Sequence, residues 1–282
     1  MHQEPCKDFQ RIHSGKFRFF IFMLMVLAGM SIPLKSYCQD LEIGIVGGGL
    51  YYLGDLNPGT PFKNTQVAYG LDIRYDIDTR WAVKLSGYRG KIKGNSSQTK
   101  FLPGRDLGFE SNITDISVEA EFNFFDYFIG SGRHFITPYI YAGIGVFFFN
   151  PKSGGVALQP LGTEGQNVEG GRKPYSLISV SVPFGLGVKF TVSRRLGFTA
   201  FWEMHKTFTD YLDDVSTTYY LNGPAINQDD PAEFLSDPTR DHQPGMQRGN
   251  SKNNDWYSFA GISVSYRFMI HGSRKCRDQK FY

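Results

Sequence analysis

The strongest constraint on this chain is a strict alternation of apolar and polar residues in four segments of 11 to 13 residues. A two-residue period sends successive side chains to opposite faces of a β-strand. Such strands exceed the roughly five to six residues usual in soluble sheets, and they suit the roughly 9–11 residues of a tilted membrane strand. The four segments are residues 67–77, 114–124, 178–190 and 256–268.

Four further segments alternate less strictly and raise the expected number of strands to eight. They are residues 41–53, 81–91, 136–150 and 196–207. The connections alternate in length, with tight turns at residues 78–80 and 191–195 and long loops at residues 151–173 and 210–255. Outer-membrane barrels combine short periplasmic turns with long outside loops. The sequence therefore predicts an all-β fold over residues 39–268, an eight-stranded antiparallel transmembrane β-barrel with short periplasmic turns and long extracellular loops.

A soluble β-sandwich is the main alternative, since its strands also alternate. Its polar faces carry mixed charge freely, whereas the polar faces here are small or glycine-rich with isolated charges. The apolar faces end in aromatic residues, as the interfacial girdles of membrane barrels do, which favours the membrane barrel. The formal net charge of +3 gives no case for nucleic-acid binding. The aromatic residues near strand ends are Tyr75, Trp81, Phe124, Phe190, Phe198, Trp202, Trp256, Tyr266 and Phe268.

The N-terminus reads as a secretory signal peptide. Residues 19–34 are mostly apolar, and small residues near a cut site follow them. We therefore expect residues 1–38 to be removed by cleavage near Cys38 and Gln39, followed by localisation in the cell outer membrane. The basic residues before the apolar run are Lys7, Arg11, Lys16 and Arg18.

Two other interpretations of this segment fit less well. An anchor helix would have a core of about 16 residues, which is shorter than the roughly 20 that span a bilayer. A lipoprotein cut before Cys38 is disfavoured because Lys35 and Tyr37 fit a lipobox poorly. Removal of residues 1–38 takes away five of 30 basic and two of 27 acidic residues, which leaves 25 of each sign. Cys276 then stands alone, so no internal disulfide is expected.

The last strand carries a pattern that outer-membrane assembly machinery recognises, Gly-x-x-Φ-x-Φ-x-Φ, where Φ is an apolar residue. The residues of this assembly signal are Gly261, Val264, Tyr266 and Phe268. Residues 269–282 follow as a basic tail of net charge +3, which we expect in the periplasm. The tail either contacts acidic partners or is a disordered terminus, and the sequence favours the latter.

If the apolar faces contact lipid, nine charged or titratable side chains point into the lumen. Four acids against four permanent cations and one histidine predict a paired structural network, because an unpaired buried charge is costly. A filled lumen argues against a porin, and a small passive channel is kept as the second hypothesis. The nine residues are Asp72, Arg74, Lys84, Glu119, Glu121, Lys189, Glu203, His205 and Arg267.

Catalysis is a third hypothesis, an enzyme acting on lipid or peptide. Glu203 and His205 share a face, and three acids follow at Asp210, Asp213 and Asp214. A base with an orienting carboxylate begins a hydrolytic site, but no serine stands out as a nucleophile. No ligand spacing indicates a metal, and the three acids are expected to be solvated. We therefore predict a non-enzyme without catalytic, cofactor or metal sites.

Five segments resemble a Bacteroidota family of outer-membrane β-barrels that includes the type IX secretion component PorG. The resemblance implies an outer-membrane barrel in contact with lipid and a non-enzymatic accessory or structural role in protein secretion. It also implies partners of the periplasmic PorK–PorN ring type, and no catalytic residues come with it. The segments are residues 52–58, 135–150, 158–166, 207–215 and 248–256.

Overall fold

The computed structural model describes residues 40–98 and 104–269. The predicted signal peptide with its cleavage site, and residues 270–282 of the predicted basic tail, lie outside the described residues. Among the residues that are described, no helix is long and apolar enough to cross a membrane.

Eight long antiparallel strands close into a barrel. Each of them pairs with its neighbour along the chain, and the last pairs with the first from Asp40↔Met269 to Leu53↔Trp256. The predicted eight-stranded barrel is thus confirmed. A short hairpin of two additional strands extends the wall beside the fourth strand. In chain order the strands are β1 Asp40–Leu53, β2 Gln66–Asp76, β3 Trp81–Asn95, β4 Gly108–Asn123, β5 Ile136–Phe148, β6 Pro151–Ser153, β7 Val156–Ala157, β8 Ile178–Thr191, β9 Leu196–Thr207 and β10 Trp256–Met269.

The apolar faces of the strands point outward. Ile45, Val67 and Ile144 are 71%, 80% and 73% exposed, although each lies in the middle or near the end of a regular strand. The polar residues between them point inward and are buried. This arrangement is the reverse of a soluble sheet protein, which would expose the polar faces. The outer wall therefore carries an apolar belt between the turn end and the basic outward residues of β3 that begin at Arg89.

The two ends of the barrel differ. One end, called the loop end here, carries the connections at residues 54–65, 96–107, 149–177 and 208–255. The other, the turn end, carries the connections at residues 77–80, 124–135 and 192–195. The longest loop contains a 3-10 helix at Gly223–Ala225 and one short α-helix, α1 at Pro231–Ser236. The N-terminus of α1 is capped by the side chain of Asp230.

The half of the barrel nearest the loop end is filled by an apolar core. Leu50, Ile92 and Ile113 point into it from the strands. Loop residues Leu212 and Val215 pack onto the same cluster and are at most 1% exposed. Burial of these side chains from loop and wall together stabilises the folded loops over the mouth. The remaining members of the cluster include Leu56, Leu107, Leu158, Phe147 and Phe259.

Candidate functional site

The structure places all nine predicted lumen residues on the inner face of the barrel wall. Eight of them are buried, with exposures of 5% or less. The ninth, Arg267, lies near the turn end, where its Nη2 is 2.6 Å from Asp40 Oδ2.

Glu121 is the centre of the turn-end half of this network. Arg74 Nε and Lys189 Nζ donate to its Oε2 at 2.7 and 2.6 Å. The same Arg74 donates from Nη1 to Glu42 Oε2 at 2.7 Å. Lys84 Nζ lies 3.9 Å from Glu121 Oε1 and links this half to the next group of charges. One carboxylate therefore serves three buried cations.

The second group is built around Lys84. Its ammonium lies 2.6 Å from Glu119 Oε2 and 3.8 Å from Glu203 Oε2, and it also faces the ring of Tyr141 at 4.5 Å. Glu203 Oε1 is in turn 2.5 Å from His205 Nε2. The charges therefore form one connected chain from Glu42 to His205.

The sequence did not single out Glu42, Asp115 or the tyrosines of the network. Tyr257 donates from its hydroxyl to Asp115 Oδ2 at 2.7 Å and stacks on the His205 ring. Tyr88 lies with its hydroxyl 2.8 Å from His205 Nε2. The alternation does place all of these side chains on the inner face, so period alone could have identified them as lumen residues.

The geometry around His205 has the parts of a hydrolytic site but not the access. Ser181 Oγ lies 3.4 Å from Nδ1, and Glu203 lies at the other ring nitrogen. The three side chains are at most 2% exposed, and Tyr88 and Tyr257 of the apolar core pack against the His205 ring. A substrate would need an open path to the hydroxyl. The arrangement is therefore a buried cluster of hydrogen-bonded side chains.

The long loops form a cap, defined here as residues 158–177 and 208–255. Arg248 at its centre is 2% exposed and donates from Nη1 to Glu164 Oε1 at 3.1 Å and to the Asp214 carbonyl at 2.5 Å. Glu164 Oε1 also accepts from the Ser216 amide at 2.9 Å. Arg105, from the connection between β3 and β4, donates to the carbonyl oxygen of Arg248 at 2.5 Å. The cap is therefore cross-linked through one buried arginine.

The expectation that the acids after β9 are solvated was wrong. Asp213 and Asp214 are 1% exposed, and Asp210 is 9% exposed. Asp213 accepts from the Tyr52 hydroxyl at 2.5 Å, and Asp214 accepts from the Tyr175 hydroxyl at 2.6 Å. They are buried because the loop folds back into the barrel mouth, which a polar composition does not reveal.

Burial raises the pKa of several cap carboxyl groups. The pKa of Asp210 rises to about 8, because burial and the nearby charges of Asp55 and Glu164 disfavour ionisation. The pKa of Asp214 rises to about 6 through burial, although the charge of Arg248 opposes the shift. Burial first, and then neighbouring carboxylates, raise the pKa of Asp213. Folding of the cap therefore favours the protonated forms of Asp210, Asp213 and Asp214.

We predict that the cap becomes less stable as pH rises. A solvated aspartate has a pKa of about 3.9, so the folded cap holds protons that unfolded loops release between about pH 4 and the folded values of about 6 and 8. Hydrogen exchange over residues 208–255, corrected for its intrinsic pH dependence, should report faster opening at pH 8.5 than at pH 5. Asp210→Asn should flatten this dependence, whereas the exposed control Asp241→Asn should leave it unchanged.

The proposed assembly-signal strand lies next to β1 at the barrel seam. Val264 and Phe268 are 49% and 45% exposed on the outer wall. Tyr266 is half-buried on the same face, and its hydroxyl accepts from Arg195. Gly261 lies on the opposite face of the strand. In the part of the chain that is described, no group of three or more His, Cys, Asp or Glu side chains could hold a metal ion.

Residues 17–221 match the model of a family described as "Domain of unknown function (DUF6089)". No curated protein matches the sequence. Similar solved structures include Ail, the attachment invasion locus protein of Yersinia pestis, at 11% identity and a TM-score of 0.41, covering 82% of this chain and 99% of that one. Neisserial surface protein A is 10% identical with a TM-score of 0.42, and the match covers 81% of this chain and 97% of that one. The outer membrane protein OprG from Pseudomonas aeruginosa is 12% identical with a TM-score of 0.39, and the match covers 83% of this chain and 99% of that one.

Proposed function

This chain belongs to the DUF6089 family, and we propose that it is a sealed outer-membrane β-barrel with a non-enzymatic accessory role in protein secretion. The observation that carries the proposal is the combination of an exposed apolar wall with a lumen that contains a buried charge network and an apolar core. A lipid environment stabilises the wall, and the filled lumen leaves the loop-end and turn-end surfaces as the parts available to partners.

The membrane placement is supported by the position of the aromatic side chains on the outer wall. Trp81, Tyr75 and Phe268 lie near the turn end and are exposed by 49%, 36% and 45%. Aromatic rings favour the level of the lipid headgroups. Their position next to the apolar belt fits one boundary of a bilayer, with the short turns on the periplasmic side. The seam strand β10 is the segment that we expect the outer-membrane assembly machinery to bind.

We predict that the purified protein forms no channel in planar bilayers. The lumen charges are paired at 2.6–2.7 Å around Glu121, and the apolar core and cap close the loop end. Membrane current should therefore stay at the baseline of the lipid alone, with a known porin as the positive control. Discrete conductance steps that follow the protein through purification would favour the passive-channel hypothesis.

The proposal of a non-enzyme is supported by the burial of His205 and its partners. A catalytic role would require His205→Ala or Glu203→Ala to abolish a measurable activity on lipid or peptide. The structural role instead predicts loss of stability. Both outcomes are distinguished when folded fraction and activity are measured on the same preparation.

The secretion role is supported by the motifs that resemble the Bacteroidota family. Three of these segments, residues 158–166, 207–215 and 248–256, supply the three residues at the centre of the cap, namely Glu164, Asp214 and Arg248. The resemblance therefore lies in residues that shape the cap. Affinity purification of the tagged protein from native outer membranes tests the role. Recovery of ring proteins of the PorK–PorN type supports it, and recovery of no secretion component contradicts it.

A further inference from the structure

A groove of about 680 Å³ runs along the outer wall across β1 to β4. Its walls are apolar side chains that include Leu71, Leu85 and Ile116, which are 59%, 45% and 53% exposed. Gly87 lies in the groove and faces outward, and a Cβ added there would find its nearest atom at 3.9 Å. The groove exists because this one outward position of β3 has no side chain.

The groove ends at a cation. Arg89 is the next outward residue of β3 after Gly87 and lines the groove at the side of the loop end. It is exposed, and it has no hydrogen bond or ion pair to any residue within the described ranges 40–98 and 104–269. Tyr69 and Thr114 flank it on the neighbouring strands. The guanidinium of Arg89 is therefore available to an anionic group outside the protein.

The next outward positions of β3 are also basic, but their charges are shared. Lys91 and Lys93 lie 3.7 and 3.4 Å from Glu110 Oε2 on β4. The outer face of β3 therefore changes from apolar to basic at Arg89. Glu110 lies near Lys91 and Lys93, but it forms no ion pair with Arg89.

We propose that this groove binds an anionic, phosphate-bearing lipid from the leaflet at the loop end, with an acyl chain over Gly87 and the phosphate on the Arg89 guanidinium; phosphatidylglycerol serves as the probe for this chemistry. The inference rests on the proposed membrane location. An acyl chain would fill the apolar groove, and the guanidinium presents two N–H donors to two phosphate oxygens. Arginine side chains near the edge of an apolar belt extend toward the headgroups, so the two contacts suit one lipid molecule.

Native mass spectrometry of the full-length protein in detergent, with added phosphatidylglycerol or phosphatidylcholine, tests the site. The wild type should retain phosphatidylglycerol in preference to phosphatidylcholine. Arg89→Gln should lower that retention about fivefold, the effect expected for one basic residue at an anionic lipid surface. Gly87→Leu should lower retention of both lipids because it fills the groove. Ala200→Leu is the matched control, since Ala200 faces outward on β9, and it should bind both lipids as the wild type does.

Three outcomes would overturn the proposal: equal retention of the two lipids by the wild type, unchanged retention by Arg89→Gln, or displacement of phosphatidylglycerol by inorganic phosphate at matched concentration. Insertion of each variant into phosphatidylcholine vesicles, detected by protection of the barrel from protease, is measured in parallel. Failure of the wild type to insert contradicts the proposed membrane barrel itself. Normal insertion without headgroup preference contradicts the lipid site alone.

Discussion

Replacement of Glu121 by alanine should destabilise the barrel by about 3–5 kcal/mol, because it removes the partner of several buried charges at once. Arg74 and Lys189 each donate to this carboxylate, and both are at most 2% exposed. Neither cation can recover the lost interaction from water without opening the wall. Urea unfolding of the protein in detergent, followed by tryptophan fluorescence and by migration of unheated samples in gels, measures the change.

A matched control is available on the outer wall. Glu110 also contacts two lysines, Lys91 and Lys93, but its side chain is 36% exposed and those of the lysines are 47% and 42% exposed. Glu110→Ala should therefore change the free energy of unfolding by only about 0–1 kcal/mol. Glu121→Gln keeps the shape of the side chain but not its charge, so its change in the free energy of unfolding should lie between those of Glu121→Ala and Glu110→Ala. Equal stability of Glu121→Ala and Glu110→Ala would refute the role of the network.

Replacement of Arg248 by alanine should release the cap while leaving the barrel wall folded. The change leaves the carboxylate of Glu164, which is 0% exposed, without its cation and removes a donor to the Asp214 carbonyl. Loss of one partner from a buried pair costs about 3–5 kcal/mol. The substitution should lower the free energy of cap opening and not that of strand unfolding, because the strands are held by their own hydrogen bonds. Hydrogen exchange should accelerate in residues 158–177 and 208–255 and stay unchanged in β1 to β5.

Lys252→Ala serves as the control for Arg248→Ala, since Lys252 belongs to the same loop and is exposed. It should leave exchange of the cap unchanged. Arg248→Ala should still form no channel, because the charges around Glu121 continue to occupy the turn-end half of the lumen. Channel formation by this variant would show that the cap alone seals the barrel. Faster exchange in the strands would instead indicate that cap and wall unfold as one unit.

The Glu121 and Arg248 variants test the lumen charge network and the cap, and the sequence predicted these two features to different extents. The lumen network lies on strands, so the alternation pattern predicted which residues point inward. Its pairs did not follow from the sequence, since Arg74 and Glu121 are 47 residues apart and meet only when β2 and β4 lie on either side of β3 in the curved wall. The cap was largely missed. Residues 210–255 are polar, and solvated acids were expected at Asp210, Asp213 and Asp214, which the structure buries.

The sequence by itself determined the number of strands, the wall and lumen faces, and the difference between the two ends of the barrel. These features follow from local geometry, because the direction of a side chain on a strand depends only on its position in the two-residue period. The tertiary structure decided the partner of each buried charge, the cap around Arg248 and the groove beside Gly87. Those features depend on distances between segments far apart in the chain, such as the 84 residues between Glu164 and Arg248, and closure of the barrel is what fixes them.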